Sequence, residues 1–189
     1  EQVLANAREG RLVDQHLVFV AMVDTWPHLA KNLAEIARET KRAPFNVTPF
    51  AKRNEQATPK AIERAEFVED ALCRIRANPY NQELDYGGLY ETLAHGYYYG
   101  HHVVETLWHR TEDGTVPRAF RAVGPAYWRY ANLSDSPEDK LMLNPSGHLN
   151  GTLIDFPDHQ FIVGVKKAHL GHPTVAAPLR ALVSYWIAA

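Results

Sequence analysis

The apolar residues change their period once, near Gly100, and that change limits the folds open to the chain. Upstream, apolar side chains recur at helical spacing: Leu12, Leu17, Val20 and Ala21, then Leu29, Leu33, Ile36 and Ala37 after Trp26-Pro27, with Pro27 suited to opening the second helix. Thr58-Pro59 starts another helix, because the threonine hydroxyl caps free amides and proline loses no needed donor there. Its stripe is Ile62, Ala65, Val68, Leu72 and Ile75, closed by Asn78-Pro79. Leu89, Leu93 and Tyr97 follow the Gly87-Gly88 pair as a further helix, and Val103-Val104 then turns the balance toward strand.

Downstream the punctuation is that of short strands. Asp113-Gly114 between Val103 to Trp108 and Val116 to Val123 predicts a hairpin. Gly124-Pro125, Ser136-Pro137, Asn144 to Gly147 and Asn150-Gly151 separate Ala126 to Tyr130 and Leu141 to Leu143, as in a meander, with Phe161 to Val165 a later strand. Phe45 and Val47, alternating with polar residues between prolines, read as an edge strand. Leu179, Leu182, Val183 and Trp186 place a final helix over 177–189. Helices followed by a β-rich half define an α+β class, and 189 residues suffice for one domain.

Twenty Lys and Arg oppose twenty-two Asp and Glu for a net charge of -2, so no whole-molecule field draws the chain to nucleic acid or acidic lipid. No run approaches the roughly 18 apolar residues of a membrane span. The lone Cys73 forms no internal disulfide, which fits a reducing compartment, and its helical surroundings suggest a small core residue. The first residue is not methionine and the last lie in an apolar run, so the chain reads as a segment of a longer polypeptide.

Three features of the sequence bear on chemistry. A metal-dependent enzyme would draw on His95, His101, His102, Glu105 and His109, but helical residues seven apart stand about 10 Å apart along the axis. Strand residues four apart stand about 13 Å apart. A site would therefore need partners such as His169 or His172, and the HExxH spacing is missing. No serine lies in a Gly-x-Ser-x-Gly elbow, and no Walker or dinucleotide loop occurs, which argues against hydrolase and ATP-motor chemistry. Glu105 with Asp155 or Asp158 forms a carboxylate pair only if the fold brings them together.

The third feature is Val116 to Tyr130, VPRAFRAVGPAYWRY, where Arg118, Arg121 and Arg129 stand among Phe120, Tyr127, Trp128 and Tyr130 without an acidic residue. Arginine binds phosphate and aromatics stack on bases, so a local nucleic-acid module is one reading. A half-buried sheet whose arginines pair with carboxylates is another, and a subunit interface a third.

The order of four segments resembles the Mu gp29-like portal protein family of tailed phages and prophages. They are Met22 through Pro49, HGYYYGHHVVETLWHR from His95 to Arg110, VPRAFRAVGPAYWRY, and HQFIVGVKKAHLGHPTVAAPLRALVSYW from His159 to Trp186. The loop after Gly171, Thr174 to Ala177, departs from the glycine-rich turn of the family. The resemblance implies a non-enzymatic subunit of a ring, typically of twelve, at one capsid vertex of the virion, assembled in the host cytoplasm and needing no cofactor or metal. Double-stranded DNA would enter and leave through its channel, and terminase, capsid and head-tail adaptor proteins would dock on it, with no membrane involved. Residues 1–176 would form the wing or body and 177–189 the start of a helix toward the stem, with clip, crown and the rest of the stem elsewhere. Arg118, Arg121, Arg129 and Trp128 would then face a neighbouring subunit or DNA.

Overall fold

The computed structural model describes residues 2–76, 80, 87–112, 114–131, 140–166 and 173–188. It is α+β: helices α1 (Gln2–Arg8), α2 (Val13–Thr25), α3 (Pro27–Lys41), α4 (Pro59–Cys73) and α5 (Gly87–Tyr99) precede strands β1 (His101–Arg110), β2 (Thr115–Ala122), β3 (Trp128–Tyr130), β4 (Leu141–Leu143) and β5 (Phe161–Val165). A 3-10 turn at Pro178–Leu182 leads into α6 (Val183–Ala188).

The switch at Gly100 is built as its sequence suggests. Gly100 has φ +84°, a left-handed conformation that L side chains avoid, and a Cβ there would stand 2.9 Å from that of Ala177. Thr58 caps α4 by accepting from the Ala61 amide at 3.2 Å, and Pro59 occupies its first turn.

β1 is the centre of a three-stranded antiparallel sheet ordered β2-β1-β5. Val104 pairs with Ala122 on one side and Ile162 on the other. Successive side chains alternate faces. Val103 accordingly enters a core with Ala7, Leu12, Trp128, Tyr130 and Leu141, while Val104 enters one with Ile75, Leu89 and Phe120. A third cluster joins Phe19 and Met22 of α2, Leu29 and Leu33 of α3, and Leu179 and Val183 near the C-terminus.

The strands do not form a meander. β3 and β4 make a separate two-stranded ribbon, and β5 returns to the far edge of β1. Pro125–Tyr127 forms a 3-10 turn, which takes the first residues expected of the third strand. Residues 43–50 take no regular secondary structure and join no ladder, so the expected edge strand is not formed among the described residues.

Several helical faces differ from their sequence reading. α2 buries Gln15, Phe19 and Met22 and leaves Leu17 and Val20 exposed, because it packs on Leu179 and Val183. On α4 only Ala65 is buried, and Cys73, expected in the core, is exposed at the helix's C-terminal end. The helix expected over 177–189 begins instead as the 3-10 turn. α1 precedes the first helix expected from the sequence, and its Leu4 and Ala7 have helical spacing. Asn78, Pro79, Asp113, Ser136, Pro137, His169, Gly171 and His172 lie outside the described residues.

Candidate functional site

The arginine and aromatic segment is split by the fold among four environments. Arg118 is on the exposed side of β2, beside a cleft lined by Phe67, Asp70, Arg74 and His109, and its side chain makes no ion pair among the described residues. Its backbone carbonyl accepts from the Arg76 amide at 3.1 Å, and the Arg76 carbonyl accepts from Phe120 at 3.1 Å. Arg76 thereby covers part of the outer edge of β2.

Arg121 stands directly across from Glu105. Its Nε donates to Glu105 Oε2 at 2.8 Å, and a second guanidinium nitrogen reaches the same oxygen. Gln160 Nε2 donates to Oε1 of the same carboxylate at 3.1 Å, so Glu105, only 13% exposed at its side chain, is held from β2 and from the turn before β5. Opposite charges facing across a ladder favour this register.

Arg129 lines a different cleft, with Arg11, Asp14, Asn144 and His148. One terminal nitrogen donates to the Gly151 carbonyl at 3.1 Å, while its buried Nε has no hydrogen-bond partner among the described residues. Trp128 is 1% exposed, donates its indole N–H to the Val123 carbonyl at 3.0 Å, and packs with Leu12 and Val103. Phe120 and Tyr130 are buried too, which leaves Tyr127 as the exposed aromatic of the segment. The fold thus combines Arg121 with Glu105 but does not gather Arg118, Arg121 and Arg129 into one patch.

The histidines are also dispersed. His101 is buried, with Nε2 3.0 Å from the Tyr130 hydroxyl. His16 stacks against Tyr99 with ring centroids 4.5 Å apart. Burial first, and the nearby His102 second, lowers the His16 pKa to about 4. Burial first, and His95 second, likewise lowers His102 to about 4, and its Nε2 has no partner among the described residues. Both rings are therefore neutral at pH 7. Among the described residues no three His, Cys, Asp or Glu side chains converge to hold a metal ion, and Glu105 binds Arg121 and Gln160 rather than a second carboxylate. No described helix is long and apolar enough to cross a membrane.

A structural tie that sequence reasoning missed is Arg180, which donates to Gln15 Oε1 at 2.5 Å and to the Leu4 carbonyl at 2.9 Å. It fastens the C-terminal 3-10 turn to α1 and α2. Burial, and secondarily Arg8, lowers the Arg180 pKa. The sequence signal was a lone arginine inside an apolar run, whose charge needs acceptors once buried.

No curated protein matches the chain. A family model described as the portal protein of Mu bacteriophage matches residues 16–189.

Proposed function

The chain belongs to the Mu bacteriophage portal protein family, and from that premise we propose that it is part of a ring-forming channel at a capsid vertex, through which double-stranded DNA is packaged and ejected. The family resemblance implies a ring of about twelve subunits, and a closed ring needs head-to-tail contacts between copies. Terminase during packaging, and capsid and head-tail adaptor proteins afterwards, are its docking partners, and the virion is its final location. Residues 1–176 serve as wing or body, and the segment from 177 leads toward the stem. The match over residues 16–189 is the observation that carries this reading.

The charge balance supports it physically. Each fixed cation that neutralises a phosphate adds salt-dependent affinity, and so drag on a moving duplex. A net charge of -2 suits a channel wall better than a DNA clamp. The separation of Arg118, Arg121 and Arg129 supports the same view, since no concentrated cationic patch forms from them. Arg118, on the exposed side of β2, is the residue of this set best placed for a neighbouring subunit, with Arg121 in a supporting role.

Native mass spectrometry with negative-stain imaging of the full-length protein tests the proposal. Closed rings with a central channel are the expected result. A monomer under all salt conditions, joined by tight and salt-sensitive DNA binding, would instead favour a nucleic-acid module.

A further inference from the structure

We infer that β5 is completed by residues 46–50 of a second copy of this chain, laid antiparallel along the edge that no described residue pairs with; this rests on the ring-forming reading above.

The edge is open by its hydrogen-bond phase. Lys166 N–H donates to the Gly100 carbonyl at 2.9 Å and Thr106 N–H to the Gln160 carbonyl at 2.7 Å. With Val103 opposite Val163, that phase turns the backbone groups of Ile162 and Gly164 toward β1. The N–H and C=O groups of Phe161, Val163 and Val165 point away from the sheet and meet no described residue. The strand carries no charge, and Val163 and Val165 are 38% and 37% exposed. An uncharged edge with a row of unpaired backbone groups is a template for another strand. The opposite edge differs, because Arg76 partly covers β2.

The same chain offers a matching donor. Residues 43–50 belong to no helix or ladder, and the backbone groups of Asn46, Thr48 and Phe50 make no hydrogen bond among the described residues. Phe50 is 78% exposed. One antiparallel register sets Asn46, Thr48 and Phe50 opposite Val165, Val163 and Phe161. All three donor residues then have an N–H to give, and Pro49, which has none, falls where its nitrogen faces away from β5. Phe50 comes beside Phe161 on one face, a favourable cross-strand pair. Continued outward, the register brings Lys52-Arg53 toward Asp158, and none of these three makes an ion pair among the described residues. One edge and one donor per copy make a head-to-tail contact, the kind that closes a ring.

The test uses the full-length protein with Cys73→Ser as background. Thr48→Cys with Val163→Cys, treated with a short thiol crosslinker, is expected to give a ladder of covalent multimers, whereas either cysteine alone gives none. Val163→Pro removes an N–H that β1 does not use, so the monomer should keep its circular dichroism and melting temperature while the ring fraction falls at least tenfold. Crosslinking confined to monomers, or rings formed by Val163→Pro as readily as by the unmodified protein, would overturn the inference and leave the ring reading standing. An unmodified protein that never forms oligomers would remove both.

Discussion

Gly96 of α5 lies so close to His102 of β1 that a Cβ built on the glycine would fall 2.4 Å from the Cβ of the histidine. In an exposed helix, glycine to alanine gains roughly 0.5–1 kcal/mol from reduced chain entropy. Here the obstructing atom is the root of a side chain between two packed elements, so α5 must move off the sheet. Overpacking of that kind costs about 1–3 kcal/mol and outweighs the propensity gain. Gly96→Ala is expected to lower the denaturant midpoint, and a midpoint equal to or above that of the unmodified protein would contradict the close α5–β1 approach.

Stability should fall on mild acidification through His16 and His102. Both have folded pKa values lowered from 6.5 to about 4, principally by burial. The unfolded chain therefore takes up protons below pH 6.5 that the folded one refuses until about pH 4. The contribution is fully present above pH 6.5 and is lost as pH falls through that window. About 3 kcal/mol per group is the ceiling. Urea titrations at pH 7.5, 6 and 5 are expected to show a steady loss, and His102→Gln should flatten it. An unchanged slope in that variant would assign the acid sensitivity elsewhere.

The elements legible in the sequence were those fixed by local chemistry: Thr58-Pro59 opening α4, the turn at Gly100, and the apolar runs that became β4 and β5. What stayed hidden depends on partners distant in sequence. The α2 stripe is set by Leu179 and Val183, so periodicity alone selected Leu17 and Val20 over Phe19 and Met22. The β2-β1-β5 order requires β5 to bypass a ribbon that is nearer in sequence, a choice that turn dipeptides do not encode. In the candidate segment the residues part by role, which the sequence does not mark: Trp128 packs inside, while Arg121 reaches Glu105 across the ladder.

Arg180 couples the C-terminal turn to the first two helices, and its loss should be felt through Gln15. That glutamine is 2% exposed, so Arg180→Met leaves its Oε1 buried without this donor. An unsatisfied buried acceptor costs about 1–3 kcal/mol, whereas replacing both partners with apolar groups of similar shape costs far less. The double variant Arg180→Met with Gln15→Leu is therefore expected to recover part of the loss. Additive single and double effects in a double-mutant cycle would show that the two side chains act independently.

Charge reversal separates the two exposed arginines of β2. Arg118 has no ion pair among the described residues, so Arg118→Glu should change monomer stability by less than about 0.5 kcal/mol. Arg121→Glu places a second carboxylate opposite Glu105, and the cross-strand repulsion should destabilise the monomer by roughly 0.2–1 kcal/mol. An assembly defect in Arg121→Glu alone would thus report a weakened sheet. If Arg118 meets a neighbouring subunit, Arg118→Glu must reduce ring formation while leaving the melting temperature in place, as read by native mass spectrometry beside calorimetry. Normal rings with altered DNA retention would move Arg118 from the subunit contact to the DNA path.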